Sequence, residues 1–276
     1  MEAVFIRHNF GKDAGLEVLR ELWDKDLIAV HFKDSGSVRP EDYSNSGRVA
    51  LTRLENCCKE GAIVGADFRK IEPSLILIGE IRRRECIRPQ EIGGHIYKTV
   101  QLHNTKKIHS PLLLAIQPRL ATITGWPSAK KYLELMFKGK KIPLKLEFLH
   151  PSQLEVICYE YLVKNKMLGA LLMPIGRTLR DVDIWGINDA GRTLLAQVTF
   201  EPSENEIRKK IEKLQNQANG HKESILIFFG PRSQQDKVKD KNISYISIEQ
   251  VFGELKSDEK SLMYLMIEKM LQYESR

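Results

Sequence analysis

An aspartate interrupts an apolar run at Val182-Asp183-Ile184, and a glutamine sits inside another at Ala196-Gln197-Val198. Both stretches read as strands, Asp181–Ile187 and Thr193–Phe200, joined by the turn Asn188-Asp-Ala-Gly191. An acid at the start of one buried strand and an amide near the end of its neighbour bring oxygen donors together, which is metal-site geometry. Asp183 in a buried strand needs a metal or a partner to offset its desolvation. The competing reading is an ion pair with Arg177, Arg180 or Arg192. Strand alternation places Gln197 and Thr199 on one face and Ala196 and Val198 on the other. The same alternation puts Asp181 on the face of Asp183, so Asp181 takes the role if the register slips by two. Gln197 is read either as a ligand or as a cross-strand hydrogen-bond partner. A helix opening at Pro151 and running to about Asn165 carries Glu155, which is either a third acid of the site or the closing residue of a Ser152-Gln-Leu-Glu155 capping box.

The elements around these residues have a regular order. Strands are expected at Ala170–Met173, Ser224–Phe229 and Ile243–Ile248, and helices at Glu249–Lys256 and Asp258–Tyr273. Ser203-Glu-Asn-Glu206 is a capping box, and Ile207, Ile211, Leu214 and Ala218 form a helical stripe closed by Gly220. Helix, antiparallel strands, crossover helix, buried strand, strand and helix make an α/β layered order. Trp185 can stack near a nucleic acid or pack against the crossover helix.

Asp183, Gln197 and this element order resemble the PD-(D/E)XK nuclease superfamily, and its Mrr-like branch in particular, which uses Gln in place of the second acid. The resemblance implies a restriction-endonuclease-like core over 151–276, with Asp183 as central carboxylate, Gln197 as amide-oxygen ligand and Glu155 as helix acid. It implies Mg²⁺ (or Mn²⁺), held by two or three protein oxygens and several waters, and metal-dependent hydrolysis of a DNA phosphodiester. Thr199 departs from the pattern. The family carries lysine there, whose ammonium orients the attacking water and offsets developing charge. Either a lysine has moved to the following helix, where Lys209, Lys210 and Lys213 stand, with Lys210 one turn from both Ile207 and Leu214, or the domain binds DNA without cutting it.

The first half reads as short strands with two helices. Strands are expected at Ala3–Ile6, Leu27–Phe32, Ala62–Phe68, Leu75–Ile81, Tyr97–His103 and Leu112–Ile116, and helices at Gly15–Lys25 and Arg48–Lys59. That pattern suggests a compact, partly closed mixed β-barrel. Leu27-Ile-Ala-Val-His-Phe32, Gly61-Ala-Ile-Val-Gly-Ala-Asp67 and Leu75-Ile-Leu-Ile-Gly-Glu80 resemble the PUA/EVE-type barrels, which implies recognition of RNA or of a flipped, modified base over residues 1–127. His31, Phe32 and Trp126 are then candidates by type, against a core role for both aromatics. Residues 128–150 are expected to be a helix, Ser128–Phe137, and a basic connector, Lys138-Gly-Lys-Lys-Ile-Pro143.

Charge agrees with that division. Residues 151–276 contain as many Asp and Glu as Lys and Arg, so the net charge of +7 lies wholly in residues 1–150. Arg82, Arg83 and Arg84, with Lys106 and Lys107, form the basic clusters expected to meet a polyanion. The alternative is a set of solvated basic loops.

The four cysteines show no zinc spacing and read as buried thiols in a reducing compartment. No signal peptide or membrane span is legible, so the cytoplasm is expected. ATP-driven translocation and serine hydrolysis lack their motifs. The sequence therefore predicts a two-domain α/β protein: a restriction and antiviral-defence endonuclease acting on DNA, modified or not, with cleavage of both strands calling for a homodimer. The runner-up is a catalytically inactive nuclease-like DNA-binding module of a defence or repair complex. A third reading is an RNA-processing protein built on the barrel.

Overall fold

Residues 1–10, 15–119, 121–176, 181–218, 223–238, 240–257 and 259–275 are described by a computed structural model of the chain. They form two compact units, Met1–Ile142 with Gln272–Arg276, and Pro143–Leu271. The fold is mixed α/β. No described helix is long and apolar enough to cross a membrane.

The first unit runs β1 (Glu2–Arg7), α1 (Leu16–Asp24), β2 (Leu27–Val30), α2 (Asn45–Glu60), β3 (Ala62–Asp67), β4 (Ile76–Ile81), β5 (Arg88–Ile92), β6 (His95–Gln101), β7 (His103–His109), α3 (Pro111–Ala115), β8 (Ile123–Gly125) and α4 (Lys130–Phe137). One sheet has the order β7-β4-β3-β1-β8, edged beyond β7 by the two-residue strand Glu274–Ser275. The other has the order β2-β6-β5. A corner at Leu102 carries the chain from β6 in one sheet to β7 in the other, and Gln101 pins it by donating to the carbonyls of Lys25, Asp26 and Leu102. Val18, Leu19, Leu22 and Trp23 of α1 and Leu51 and Leu54 of α2 are buried in one apolar cluster with β-strand residues. Helix α2 stops at Gly61, whose φ of 78° only glycine adopts readily.

Leu112–Ile116 is not a strand: Pro111 starts helix α3, and the Ser110 hydroxyl caps it by accepting from Leu113 N at 3.3 Å. Strand β7, His-Asn-Thr-Lys-Lys-Ile-His, carries too few apolar residues to be expected from the sequence. Its lysines are satisfied by the fold instead, as described below. The 128–150 segment divides as well. Helix α4 packs against β1, β3 and β4 in the first unit, and the chain from Pro143 belongs to the second.

The second unit runs α5 (Pro151–Lys164), β9 (Ala170–Leu171), β10 (Ile184–Ile187), β11 (Thr193–Val198), α6 (Glu204–Ala218), β12 (Ile225–Gly230), β13 (Ser244–Ser247), α7 (Ile248–Lys256) and α8 (Leu262–Leu271). The sheet order is β13-β12-β11-β10-β9. Strands β9, β10 and β11 are antiparallel neighbours, while β11, β12 and β13 are parallel. Helix α6 makes the crossover from β11 to β12, burying Ile207, Ile211 and Leu214 against Leu195, Leu226 and Phe228. Trp185 packs on this cluster, in the core role. Gly220, expected to end the crossover helix, lies outside the described residues.

Candidate active site

Asp183 stands immediately before β10, and its amide donates to the Ala196 carbonyl at 2.9 Å, carrying the ladder to β11 one residue past the strand. Across that ladder, Asp183 Oδ2 accepts from Gln197 Nε2 at 2.6 Å and from the Val198 amide at 2.7 Å. Burial pushes the Asp183 carboxyl above its usual range; the Val198 N–H and the nearby Lys210 charge pull the other way, and Asp181 adds to the rise. Arg192 does not neutralise it, since the guanidinium donates to the Glu223 carbonyl. Arg177 and Arg180 lie outside the described residues.

Asp181 is not on the face of Asp183 by alternation. Its φ of 70° takes it out of the strand, and its carboxylate meets Lys213 Nζ at 3.1 Å. The strand expected from Asp181 begins only at Ile184. The register of Asp183 is therefore the one that puts a carboxylate between β10 and β11.

Glu155 is released from the capping role. The N-cap of α5 is His150: its ring accepts from the Ser152 amide, while Gln153 Oε1 accepts from the His150 amide at 2.9 Å. This capping box closes two residues before Glu155, so the glutamate is not its closing residue. Its carboxylate lies against Gly176, where a Cβ would collide with Glu155 Oε2. Gly176 has a φ of 75°, and its amide donates to the Asp183 carbonyl at 2.9 Å. One glycine thus touches the helix acid and the strand acid. One turn beyond Glu155, fully buried Cys158 has its thiol pushed well up, by burial first and then by the charges of Asp183 and Glu155. Cys158 is therefore a buried, unreactive thiol within electrostatic reach of both acids. The sequence signal for it was its i+3 spacing from Glu155.

Thr199 continues the pairing of β11 past its end by donating to the Phe229 carbonyl at 2.9 Å. Its hydroxyl oxygen accepts from Lys210 Nζ at 2.7 Å. Helix α6 therefore places an ammonium beside the neutral side chain of Thr199. Its neighbours are otherwise engaged, Lys209 with Glu206 and Lys213 with Asp181.

Gln197, 8% exposed, faces Asp183 with its amide nitrogen, so the cross-strand hydrogen bond is present. Gln197 Oε1 and Asp183 Oδ1 accept no hydrogen bond from the described residues. With the Glu155 carboxylate they offer hard oxygen donors only, the chemistry Mg²⁺ and Mn²⁺ take together with several waters. In donor type the residues fit such an ion.

The residues expected to meet nucleic acid are less unified. Arg82, Arg83 and Arg84 are exposed in the turn after β4; Arg82 is near Glu80 at 3.5 Å and Arg83 donates to the Glu60 carbonyl at 3.0 Å. Lys106 and Lys107 alternate along β7 and part company. Lys106 Nζ caps the end of α4 by donating to the Met136 and Phe137 carbonyls at 3.2 and 2.7 Å, while Lys107 Nζ sits 4.6 Å from the Trp23 ring centroid. Trp126 is a correction: it is 1% exposed, edge-on to Phe5 at 5.1 Å, and donates its Nε1–H to the Ile116 carbonyl. It fills the space over Gly65, where a Cβ would come within 2.6 Å of the indole, and is not a stacking surface. Phe32 likewise packs on the core. His31 has a different setting, beside Asp34 and His95.

Comparisons of the chain with protein-family models, with curated proteins and with solved structures find no match.

Proposed function

We propose that the second unit is a divalent-metal-dependent DNA endonuclease with a PD-(D/E)XK-like core of the Mrr-like type, and that the first unit, PUA/EVE-like in its strand pattern, recognises the DNA. The observation that carries this reading is the 2.7 Å contact from Lys210 to Thr199, beside Asp183. It restores the cation whose absence from the strand was the main reason to read the domain as inactive. Asp183, Gln197 and Glu155 would hold Mg²⁺ or Mn²⁺. When bound, the ion would polarise the scissile phosphate and acidify a bound water.

The chain's own residues have separable tasks. The Val198 amide and Gln197 Nε2 hold the Asp183 carboxylate in place before any ion arrives. Lys210, positioned by the Thr199 hydroxyl, places a fixed positive charge for the extra negative charge of the pentacoordinate phosphate. Buried Cys158 and the buried residues of β10 and β11 keep water out of the interior beside Asp183. Arg82, Arg83 and Arg84 supply a sequence-independent attraction to phosphates. The reading places the chain in restriction of foreign or modified DNA.

The test is cleavage of supercoiled plasmid, unmodified and base-modified, with Mg²⁺ or Mn²⁺ present. Nicking or linearisation that disappears in Asp183→Ala supports the proposal. Metal-independent cleavage, or none on any of these DNAs while duplex binding persists, overturns it in favour of a DNA-binding module. Tighter binding of RNA than of duplex at matched salt favours an RNA-processing role.

A further inference from the structure

We propose that His31, Asp34 and His95 form a second cation site in the first unit, a surface site for a Zn²⁺-class divalent ion separate from the acids of the second unit. His31 directly follows β2, Asp34 lies in the loop beyond it, and His95 opens the neighbouring strand β6. One ligand atom from each lies within 4.8 Å of the other two. His31 Nε2 is 3.0 Å from Asp34 Oδ1, and His95 Nδ1 is 2.9 Å from Asp34 Oδ2. Without an ion the two imidazoles hydrogen-bond the Asp34 carboxylate; two imidazole nitrogens and one carboxylate this close together are a donor set that suits Zn²⁺, Co²⁺ or Ni²⁺, whereas the all-oxygen set around Asp183 suits Mg²⁺.

The three side chains are positioned by the fold rather than met by chance on a surface. The Ile96 amide donates to Asp34 Oδ1 at 2.9 Å, tying the loop to β6. Beneath it, Lys98 is completely buried and donates from Nζ to the Lys33 and Ile96 carbonyls at 2.8 and 3.2 Å. Burying an ammonium to hold two carbonyls is expensive and fixes the backbone on both sides of the cluster. The His31 ring rests on Tyr97, with centroids 4.9 Å apart. Between a quarter and a half of each side chain is exposed, so an ion can enter and keep water on its remaining positions. With three protein ligands and an open side, the ion would clip the 31–35 loop to the sheet and leave room for an anionic group.

The experiment uses the full chain stripped with chelator and then titrated with Zn²⁺, and with Co²⁺ as a spectroscopic probe. The expected result is saturable uptake of one equivalent, with cobalt ligand-field bands in the visible, unaffected by excess Mg²⁺. His31→Ala and His95→Ala should each weaken uptake at least about a hundredfold. Asp183→Ala should leave it unchanged, which separates this site from the proposed nuclease centre. Should either histidine variant fail to fold, ring ¹⁵N spectra of the wild-type chain serve instead: Zn²⁺ must shift His31 Nε2 and His95 Nδ1. Zn²⁺ uptake that is absent, that survives both histidine substitutions, or that leaves those two nitrogens unmoved overturns the proposal.

Discussion

Replacing Lys210 with methionine is the most informative perturbation of the proposed nuclease centre. The ammonium meets Thr199 Oγ1 at 2.7 Å and acts on the Asp183 carboxyl by its charge. Loss of one preorganised, charge-matched donor slows a reaction of this kind about 10²- to 10³-fold, or roughly 2.7–4 kcal/mol of barrier. Stability should change far less. Lys210 is only half-buried, and lysine and methionine have similar helix propensities, so unfolding free energy should move by no more than about 1 kcal/mol.

Single-turnover plasmid cleavage and thermal unfolding of the same preparation separate these effects. Lys210 also lowers the Asp183 pKa, so its removal should let that pKa rise further and move the acid limb of the rate profile to higher pH. Adding Thr199→Lys to the Lys210→Met variant should recover activity, because the charge returns from the strand instead of the helix. Undiminished cleavage by Lys210→Met would refute the role. So would a loss of rate that only follows a loss of fold.

Three other outcomes follow from burial and charge. Asp183→Asn should abolish cleavage yet raise the melting temperature at neutral pH, since burial disfavours the ionised carboxyl and the amide carries no charge; calorimetry with and without Mg²⁺ reads this. His8 is fully buried against Phe68 and its pKa is lowered to about 3, so it is neutral in the fold and protonates more readily when unfolded. Stability should be complete above the unfolded pKa near 6.5 and fall below it, by about 2 kcal/mol between pH 7 and pH 5, in denaturant titrations; His8→Gln should flatten that slope. Trp126→Ala should destabilise the first unit by about 3–5 kcal/mol, measured by chemical unfolding. DNA affinity at a temperature where the variant stays folded should not change, because the indole is enclosed.

The reading of this chain from its residues succeeded where a periodic apolar pattern leaves little choice. The stripe Ile207, Ile211, Leu214 has one way to be buried, and it makes the crossover helix between β11 and β12. Asp183 and Gln197 also declared themselves, since a polar group inside an apolar strand demands a partner, and here each is the other's partner. Short-range competitions were less legible. His150 rather than Ser152 caps α5, and only the folded backbone shows that Gln153 rather than Glu155 closes the capping box. Polar strand β7 had no periodicity to read, because its lysines are satisfied by α4 and by Trp23, both remote in sequence. Trp126 offered an aromatic of either use until Gly65 was found beneath it.

What the residues alone determined, then, were the elements and the chemical types at their ends: local propensity and apolar spacing act over a few neighbours and are written in order along the chain. Which of three lysines on α6 reaches Thr199, and which loop carries Asp34 between His31 and His95, were decided by tertiary structure. Lys210 reaches back to Thr199 through the rotation of α6, and His95 meets Asp34 across 61 positions of chain; packing sets both and no local pattern encodes them.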